Sequence, residues 1–266
     1  MKNLSIAVIT GGAGDIGLAI ARHLAQTHSE IILLDIDLDK SRQSVLNFPP
    51  EISGKITGIR CDVTDPSALS RVVDTILSMK GASFKTLVNN AGGTRIASLQ
   101  EMTPEAWRAE MSLNLDAAYL CFNAFADALK ESPEPCKSVI NISSANGILG
   151  TFGNPAYSTA KAGLIQFTRT IALEYGKYGV RANVVAPGTV MTDGWKGKME
   201  SNPNVFEDLK KWYPLGRLVE LDEVAGAVAF LASEQATGIT GVCLPVDGGL
   251  TAGMPPVARS FGVTDY

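Results

Sequence analysis

Short, almost wholly apolar runs alternate along the chain with longer stretches in which apolar residues recur every three or four positions. Residues 5–10, 30–35, 55–61, 86–89, 138–142, 181–185 and 242–246 read as strands, the run at 86–89 being very short. Residues 16–26, 66–79, 105–129, 157–175 and 222–232 read as helices, with Ile16, Ile20 and Leu24 on one stripe of the first. Strands apolar on both faces, each followed by a helix, predict a parallel sheet covered on both sides. The expected fold is therefore α/β, a single-domain doubly wound sheet of about seven strands. Two pieces break the rhythm: a polar stretch with scattered aromatics at 191–213, read as a lid, and a tail at 250–266.

Composition narrows the class. The 266 residues are 45% hydrophobic and 19% charged, ordinary for a packed domain. The net charge is −4 and no basic block occurs, so nucleic acid and anionic membrane surfaces are not expected partners. No apolar run approaches the ~18 residues of a spanning helix, and the start lacks a signal-peptide layout. Cys61, Cys121, Cys136 and Cys243 are dispersed, which fits reduced thiols and a cytoplasmic protein. His23 and His28 are the only histidines. Both are expected on the surface of the first helix, and so small an inventory argues against a histidine metal site or a Ser-His-Asp triad.

The first strand runs into Thr10-Gly11-Gly12-Ala13-Gly14-Asp15-Ile16-Gly17, and a helix begins there. Glycines let a backbone turn sharply beside a pyrophosphate, and the helix N-terminus favours the anion. Gly11, Gly14, Asp15 and Ile16 are thus candidate dinucleotide contacts. Asp35 ends the second strand, where a carboxylate would accept hydrogen bonds from ribose hydroxyls and repel a 2′-phosphate. No Lys or Arg occurs from Gly11 to Ala21, and none directly follows Asp35, so NAD is expected over NADP. Asp62 ends the third strand, either to meet an adenine or to cap the next helix.

Tyr157 and Lys161 stand four residues apart, on one face of a helix, with Ser144 earlier in the chain. A tyrosine titrates near ~10, and lowering it to about 7 takes roughly 4 kcal/mol. A close ammonium favours the phenolate and works in that direction. Such a tyrosine can take a proton from an alcohol as its hydride leaves. The bare spacing is also what a solvated Tyr/Lys helix face would show.

Taken together, the sequence resembles the short-chain dehydrogenase/reductase family from Ser5 to about Gly249. The resemblance rests on the turn at 10–17, Asn89-Asn90-Ala91-Gly92, Asn114, Asn141-Ile142-Ser143-Ser144 and Tyr157-x-x-x-Lys161. It continues through Arg181-Ala182-Asn183-Val184-Val185-Ala186-Pro187-Gly188, Pro214-Leu215-Gly216-Arg217, Ile239-Thr240-Gly241 and Val246-Asp247-Gly248-Gly249. Asp15 departs from the family pattern, which has glycine there, and Arg217-Leu218-Val219-Glu220 lacks the usual glycine and proline.

The resemblance implies a Rossmann fold and a set of roles. Tyr157 is the general acid/base, Lys161 lowers its pKa and holds the nicotinamide ribose, and Ser144 steadies the substrate oxygen. Asn114 holds a water in a proton relay. Asp62 and Val63 face adenine, and Asn90, Ala91 and Gly92 line the coenzyme cleft. Pro187 and Gly188 turn beside the nicotinamide, with Val190 and Thr192 at its carboxamide and pro-S transfer implied. The stripe Leu164, Phe167, Ile171 is expected to pack on a partner helix in a homotetramer, a dimer of dimers, or else to form an internal core face.

The resulting expectation is an NAD-dependent oxidoreductase acting on a small-molecule secondary alcohol, with a sugar, polyol or small hydroxyketone favoured. A 3-oxoacyl-type or steroid-type ketone reductase and a non-catalytic dinucleotide sensor are the alternatives. Ser144, Asn146, Thr151, Asn154 and the lid residue Trp195 are candidate substrate contacts. Phe206, Trp212 and Tyr213 are divided between substrate contact and packing. The tail at 250–266 is expected to reach a neighbouring subunit's cleft.

Overall fold

A computed structural model describes residues 4–253 together with 261 and 262. Seven strands form one parallel sheet: β1 (Leu4–Thr10), β2 (Glu30–Asp35), β3 (Ile56–Arg60), β4 (Ala82–Asn89), β5 (Lys137–Ile142), β6 (Val180–Pro187) and β7 (Cys243–Val246). Their order is β3-β2-β1-β4-β5-β6-β7. The chain winds outward one way from β1 and the other way from β4, so a crevice opens where the C-terminal ends of these two strands diverge.

Ten α-helices are described: α1 (Asp15–Leu24), α2 (Leu38–Leu46), α3 (Pro50–Ser53), α4 (Pro66–Leu77), α5 (Pro104–Met111), α6 (Ala117–Glu131), α7 (Pro155–Tyr175), α8 (Lys196–Ser201), α9 (Val205–Lys210) and α10 (Leu221–Ala232). Helix starts follow local chemistry. Asp65 and Thr103 accept from backbone N–H groups of α4 and α5, each followed by proline at the first position. Glu220 and Glu223 form a capping box on α10. The sheet separates two cores. Ile20 and Leu24 of α1 and Val224 and Val228 of α10 pack on one face. Leu69 and Ile76 of α4, Phe125 and Leu129 of α6 and Ile171 of α7 pack on the other.

The structure corrects several expectations. β4 is eight residues long, because Ala82–Phe84 extend the pairing with β1 across a bulge at Lys85. The helical region at 105–129 is split: a π-helical turn, Ser112–Asp116, separates α5 from α6. Leu164 and Ile171 are buried within the subunit, and Phe167 packs edge-on against Phe122. Within the subunit, Leu164 and Ile171 thus belong to the core, and Phe167 stays partly buried. His28 lies beyond α1 and is buried between Leu24 and Thr86, not on a helix surface. No helix among the described residues is long and apolar enough to cross a membrane. Of the tail, residues 254–260 and 263–266 lie outside the described residues.

Candidate active site

A cleft of about 710 Å³ lies along the C-terminal ends of β1–β4. Close packing shapes its floor. Gly11 has φ +61°, and a Cβ there would lie 2.9 Å from Ala91 Cα. A Cβ on Gly12 would stand 2.6 Å from Leu33 Cβ, and one on Gly17 2.5 Å from the Gly11 carbonyl oxygen. The turn is pressed flat against the sheet by these contacts, leaving the α1 N-terminus at the cleft wall. Thr10 ties the turn to the loop after β4, its Oγ1 accepting from the N–H of Asn90 (3.0 Å) and of Ala91 (2.9 Å). Asn90 Nδ2 donates back to the carbonyls of Thr10 and Gly11. A backbone that comes this close to the cleft, at a helix N-terminus with an acid at the end of β2, fits a dinucleotide.

Asp35 Oδ2 accepts from Ala13 N–H at 2.8 Å and Oδ1 from Asp37 N–H at 3.0 Å, which fixes its carboxylate at the edge of the turn. Lys40, on α2, lines the same cleft and places a cation there that the local sequence around Asp35 did not reveal. Asp62 is not the cap of α4, a role that Asp65 takes. Its Oδ1 instead accepts from the N–H and hydroxyl of Thr64, which hold the carboxyl below its usual range. Asp15 accepts from Asp193 N–H at 2.6 Å, so the unexpected carboxylate joins the turn to the segment that follows β6.

Gly11, Gly14, Asp15, Ile16, Asp35, Asp62, Val63, Asn90, Ala91, Gly92 and Thr192 line the cleft. Pro187, Gly188 and Val190 lie off it: Val190 is buried and bridges to Val219, and Gly188 leaves no room for a Cβ, which would meet Tyr213 at 3.0 Å. Tyr213 is itself buried, and its hydroxyl accepts from Thr189 N–H at 2.6 Å. Phe206 is buried against Trp195. Of the four aromatic residues at 191–213, Trp212 is the exposed one, at 52%.

The reactive side chains gather at the inner end. Ser144 lies two residues beyond β5, and its Oγ accepts from Asn146 N–H, starting a single 3-10 turn. That turn abuts α7 so closely that a Cβ on Gly147 would be 2.8 Å from the Lys161 carbonyl oxygen. Ser143 Oγ donates to the same carbonyl at 2.8 Å. Lys161 is buried, its Nζ donates to the Ile142 carbonyl at 2.9 Å, and it stands 5.6 Å from the Tyr157 ring centre. Burial lowers the ammonium to about 8. A Cβ on Gly92 would meet Lys161 Nζ at 3.1 Å, so the lysine head borders the cleft.

The Tyr157 phenol differs from the expectation. Burial pushes it up, the hydrogen bond with Ser144 pulls it down, and the Glu110 charge pushes it up again. Lys161 turns its Nζ to the Ile142 carbonyl, 5.6 Å from the centre of the tyrosine ring. Asn114 occupies the π-helical turn, buried. Its Nδ2 donates to the carbonyls of Gly93 (2.8 Å) and Glu110 (2.9 Å), and its Oδ1 accepts from Gly93 N–H (3.1 Å).

Residues 11–251 match the family model described as Enoyl-(Acyl carrier protein) reductase. The chain belongs to the short-chain dehydrogenase/reductase family. It is an oxidoreductase of the class that acts on CH–OH groups with a nicotinamide cofactor. It is 35% identical to a 3-oxoacyl-[acyl-carrier-protein] reductase of Synechocystis, over 92% of this chain and 96% of that one. It is 33% identical to an L-rhamnose 1-dehydrogenase (NAD(P)(+)) of Azotobacter vinelandii, over 91% and 95%. A crystal structure of a short-chain dehydrogenase/reductase family oxidoreductase from Burkholderia thailandensis superposes with a TM-score of 0.89 at 36% identity, covering 100% of both chains.

Three groups of residues in this dehydrogenase/reductase take roles that the sequence alone did not assign. Lys40 and Asp37 face the cleft from beyond Asp35. Asn89 donates to Asn141 at 2.8 Å, and Asn141 to Thr168 at 2.7 Å, a buried polar chain from β4 through β5 to α7. Glu110 lies one turn before Asn114, where a charged residue in a helical pattern gives no signal of anything but a solvated face.

Proposed function

We propose that the protein is an NAD-dependent dehydrogenase/reductase that interconverts a small secondary alcohol and its ketone, with Tyr157 as general acid/base. The observation that carries this is the Ser144–Tyr157–Lys161 group at the inner end of a cleft whose glycine floor suits a dinucleotide. Gly11, Gly14, Asp15 and Ile16 would hold the pyrophosphate, Asp35 the adenosine ribose, and Asp62 and Val63 the adenine. Asn90, Ala91, Gly92 and Thr192 would frame the nicotinamide end. A bound nicotinamide supplies or accepts the hydride.

The chain's own residues manage the proton. The Ser144 hydroxyl is close enough to pull the Tyr157 phenol down, so both hydroxyls can address one substrate oxygen. In reduction the Tyr157 phenol donates its proton to that oxygen, and in oxidation it takes it. Burial holds the phenol protonated, which suits donation to a ketone near neutral pH. Lys161 places its ammonium beside the ring and within reach of a ribose hydroxyl. Asn114 fixes the loop at Gly93 and marks the wide turn where a relay water would sit.

A sugar, polyol or small hydroxyketone is the favoured substrate class, supported by the L-rhamnose 1-dehydrogenase relative. A 3-oxoacyl thioester is the second reading, supported by the Synechocystis relative. For the cofactor, Asp35 opposes a 2′-phosphate while Lys40 in the same cleft attracts one. The fixed position of Asp35 at the turn favours NAD. We include assembly as a homotetramer in the reading, with the exposed Leu173 of α7 and Phe230 of α10 as apolar contacts.

The test is nicotinamide absorbance across polyol, sugar and 3-oxoacyl panels with NAD and NADP, for wild type and Tyr157→Phe. The variant should bind cofactor normally and lose at least about 100-fold in kcat. Undiminished turnover would remove Tyr157 from its role. Cofactor binding with no turnover of any substrate would favour a dinucleotide sensor.

A further inference from the structure

The chain that leaves β6 is pinned at two places before it enters α8. At the first, Val190 is buried and bridges to Val219, and the Thr189 N–H is held by the Tyr213 hydroxyl. At the second, Trp195 packs on the buried Phe206, their ring centres 5.4 Å apart. A 3-10 turn, Asp193–Trp195, closes here, with Trp195 N–H donating to the Thr192 carbonyl at 3.0 Å. Between the two pins, Thr192, Asp193 and Gly194 line the same cleft as the glycine turn. They form a strap along it.

Asp15 joins this strap to the turn, its Oδ2 accepting from the Asp193 N–H at 2.6 Å. Asp15 is the first residue of α1, and Gly14 before it offers no side-chain cap. A carboxylate in the first turn of a helix is favoured by the helix dipole. Arg22, which borders a second hollow together with Asp15, is engaged by Asp222. The Asp15 backbone thus belongs to the helix start that faces an anion, and its side chain belongs to the strap. A glycine here, as in the family pattern, could not make that bond.

The geometry points to Asp15 as a positioning residue that latches the 192–194 strap to the coenzyme turn, so that a nicotinamide cofactor leaves the cleft only when the latch opens. The inference rests on the reading that this cleft holds the dinucleotide. A dinucleotide laid along the turn from Asp35 to Gly92 passes beside the strap, because all of these residues line one cleft. Asp15 then acts on its release in two opposed ways. The latch restrains the strap and slows release. The charge repels the pyrophosphate and speeds it. Two variants separate the effects. Asp15→Asn keeps a carbonyl oxygen for the Asp193 N–H and removes the charge. Asp15→Ala removes both.

The experiment has two readouts on the full-length protein. Hydrogen exchange of the 189–195 segment, followed by mass spectrometry without cofactor, reports the latch itself. Release of NADH (NADPH if it binds more tightly), followed by stopped-flow fluorescence on displacement with excess oxidised cofactor, reports its effect. Asp15→Ala should speed exchange in the strap. It should also speed release by about tenfold, the lower end of what loss of a hydrogen bond to a charged acceptor brings. Asp15→Asn should keep the strap protected and release the cofactor no faster than wild type. Unchanged exchange in Asp15→Ala overturns the inference, and so does equal acceleration of release in the two variants. Wild type that binds neither cofactor sinks the dinucleotide reading and this inference with it, a failure told apart from that of the latch because the exchange readout needs no cofactor.

Discussion

Acidification should destabilise this fold through one imidazole. His28 is buried, with Nδ1 3.2 Å from the Leu24 carbonyl and Nε2 2.9 Å from Thr86 Oγ1. The carbonyl can only accept, so Nδ1 carries the proton and Nε2 accepts from the threonine, which is linked in turn to Ser138 at 3.1 Å. Burial pulls the imidazole from 6.5 down to about 4, with the Lys85 charge acting in the same direction and the Leu24 carbonyl opposing. Below the unfolded value the unfolded chain binds a proton that the folded chain refuses. Stability from this group is complete above about pH 6.5 and is lost as pH falls toward 4. At about 1.36 kcal/mol per unit, the loss at pH 5 is about 2 kcal/mol. Urea unfolding at pH 7.5 and pH 5, at one protein concentration, measures it. With a slope of about 3 kcal/mol per molar, the midpoint should drop by roughly 0.7 M more in wild type than in His28→Gln, which cannot titrate. Equal drops in the two proteins would refute the reasoning.

Two further outcomes follow from close contacts. Gly92→Ala would place a Cβ 2.7 Å from Asn114 Oδ1 and 3.1 Å from Lys161 Nζ. It should reduce kcat by tenfold or more, about what a displacement of part of an ångström costs in a catalytic group, while circular dichroism shows an unchanged fold. Tyr213→Phe would leave Thr189 N–H without its acceptor at 2.6 Å and should cost about 1–2 kcal/mol in thermal denaturation. Because that N–H lies in the chain after β6, KM for the nicotinamide cofactor should also rise.

Much of the architecture could be read from pattern alone, and the reasons are local. The buried runs of β1 and β2 and the stripe of α1 are long enough for periodicity to be unambiguous. The turn at 10–17 declared itself because its glycines answer to steric limits that few other uses of glycine share. What stayed hidden depends on residues far apart in sequence. The π-helical turn at Asn114 exists because a side-chain amide is satisfied by Gly93, and no pattern within 105–129 carries that information. α8 and α9 are six residues each, too short to show a period. The burial of His28 follows from a partner on β4, and Lys40 reaches the cleft only because α2 folds back beside β2. Spacing predicts that Tyr157 and Lys161 are near each other and says nothing of where the lysine head turns.

The buried Asn89–Asn141–Thr168 chain has a consequence for redesign. Together with the Ser143 bond to the Lys161 carbonyl, it sets how high α7 rides on the sheet. These anchors join α7 to the sheet through groups that the loops at 94–98 and 148–154 do not supply. The loops can therefore be rewritten for a new alcohol while the anchors keep the acid/base group in place. A library that spares the four anchoring residues and varies the loops keeps the chemistry constant while it searches for a substrate.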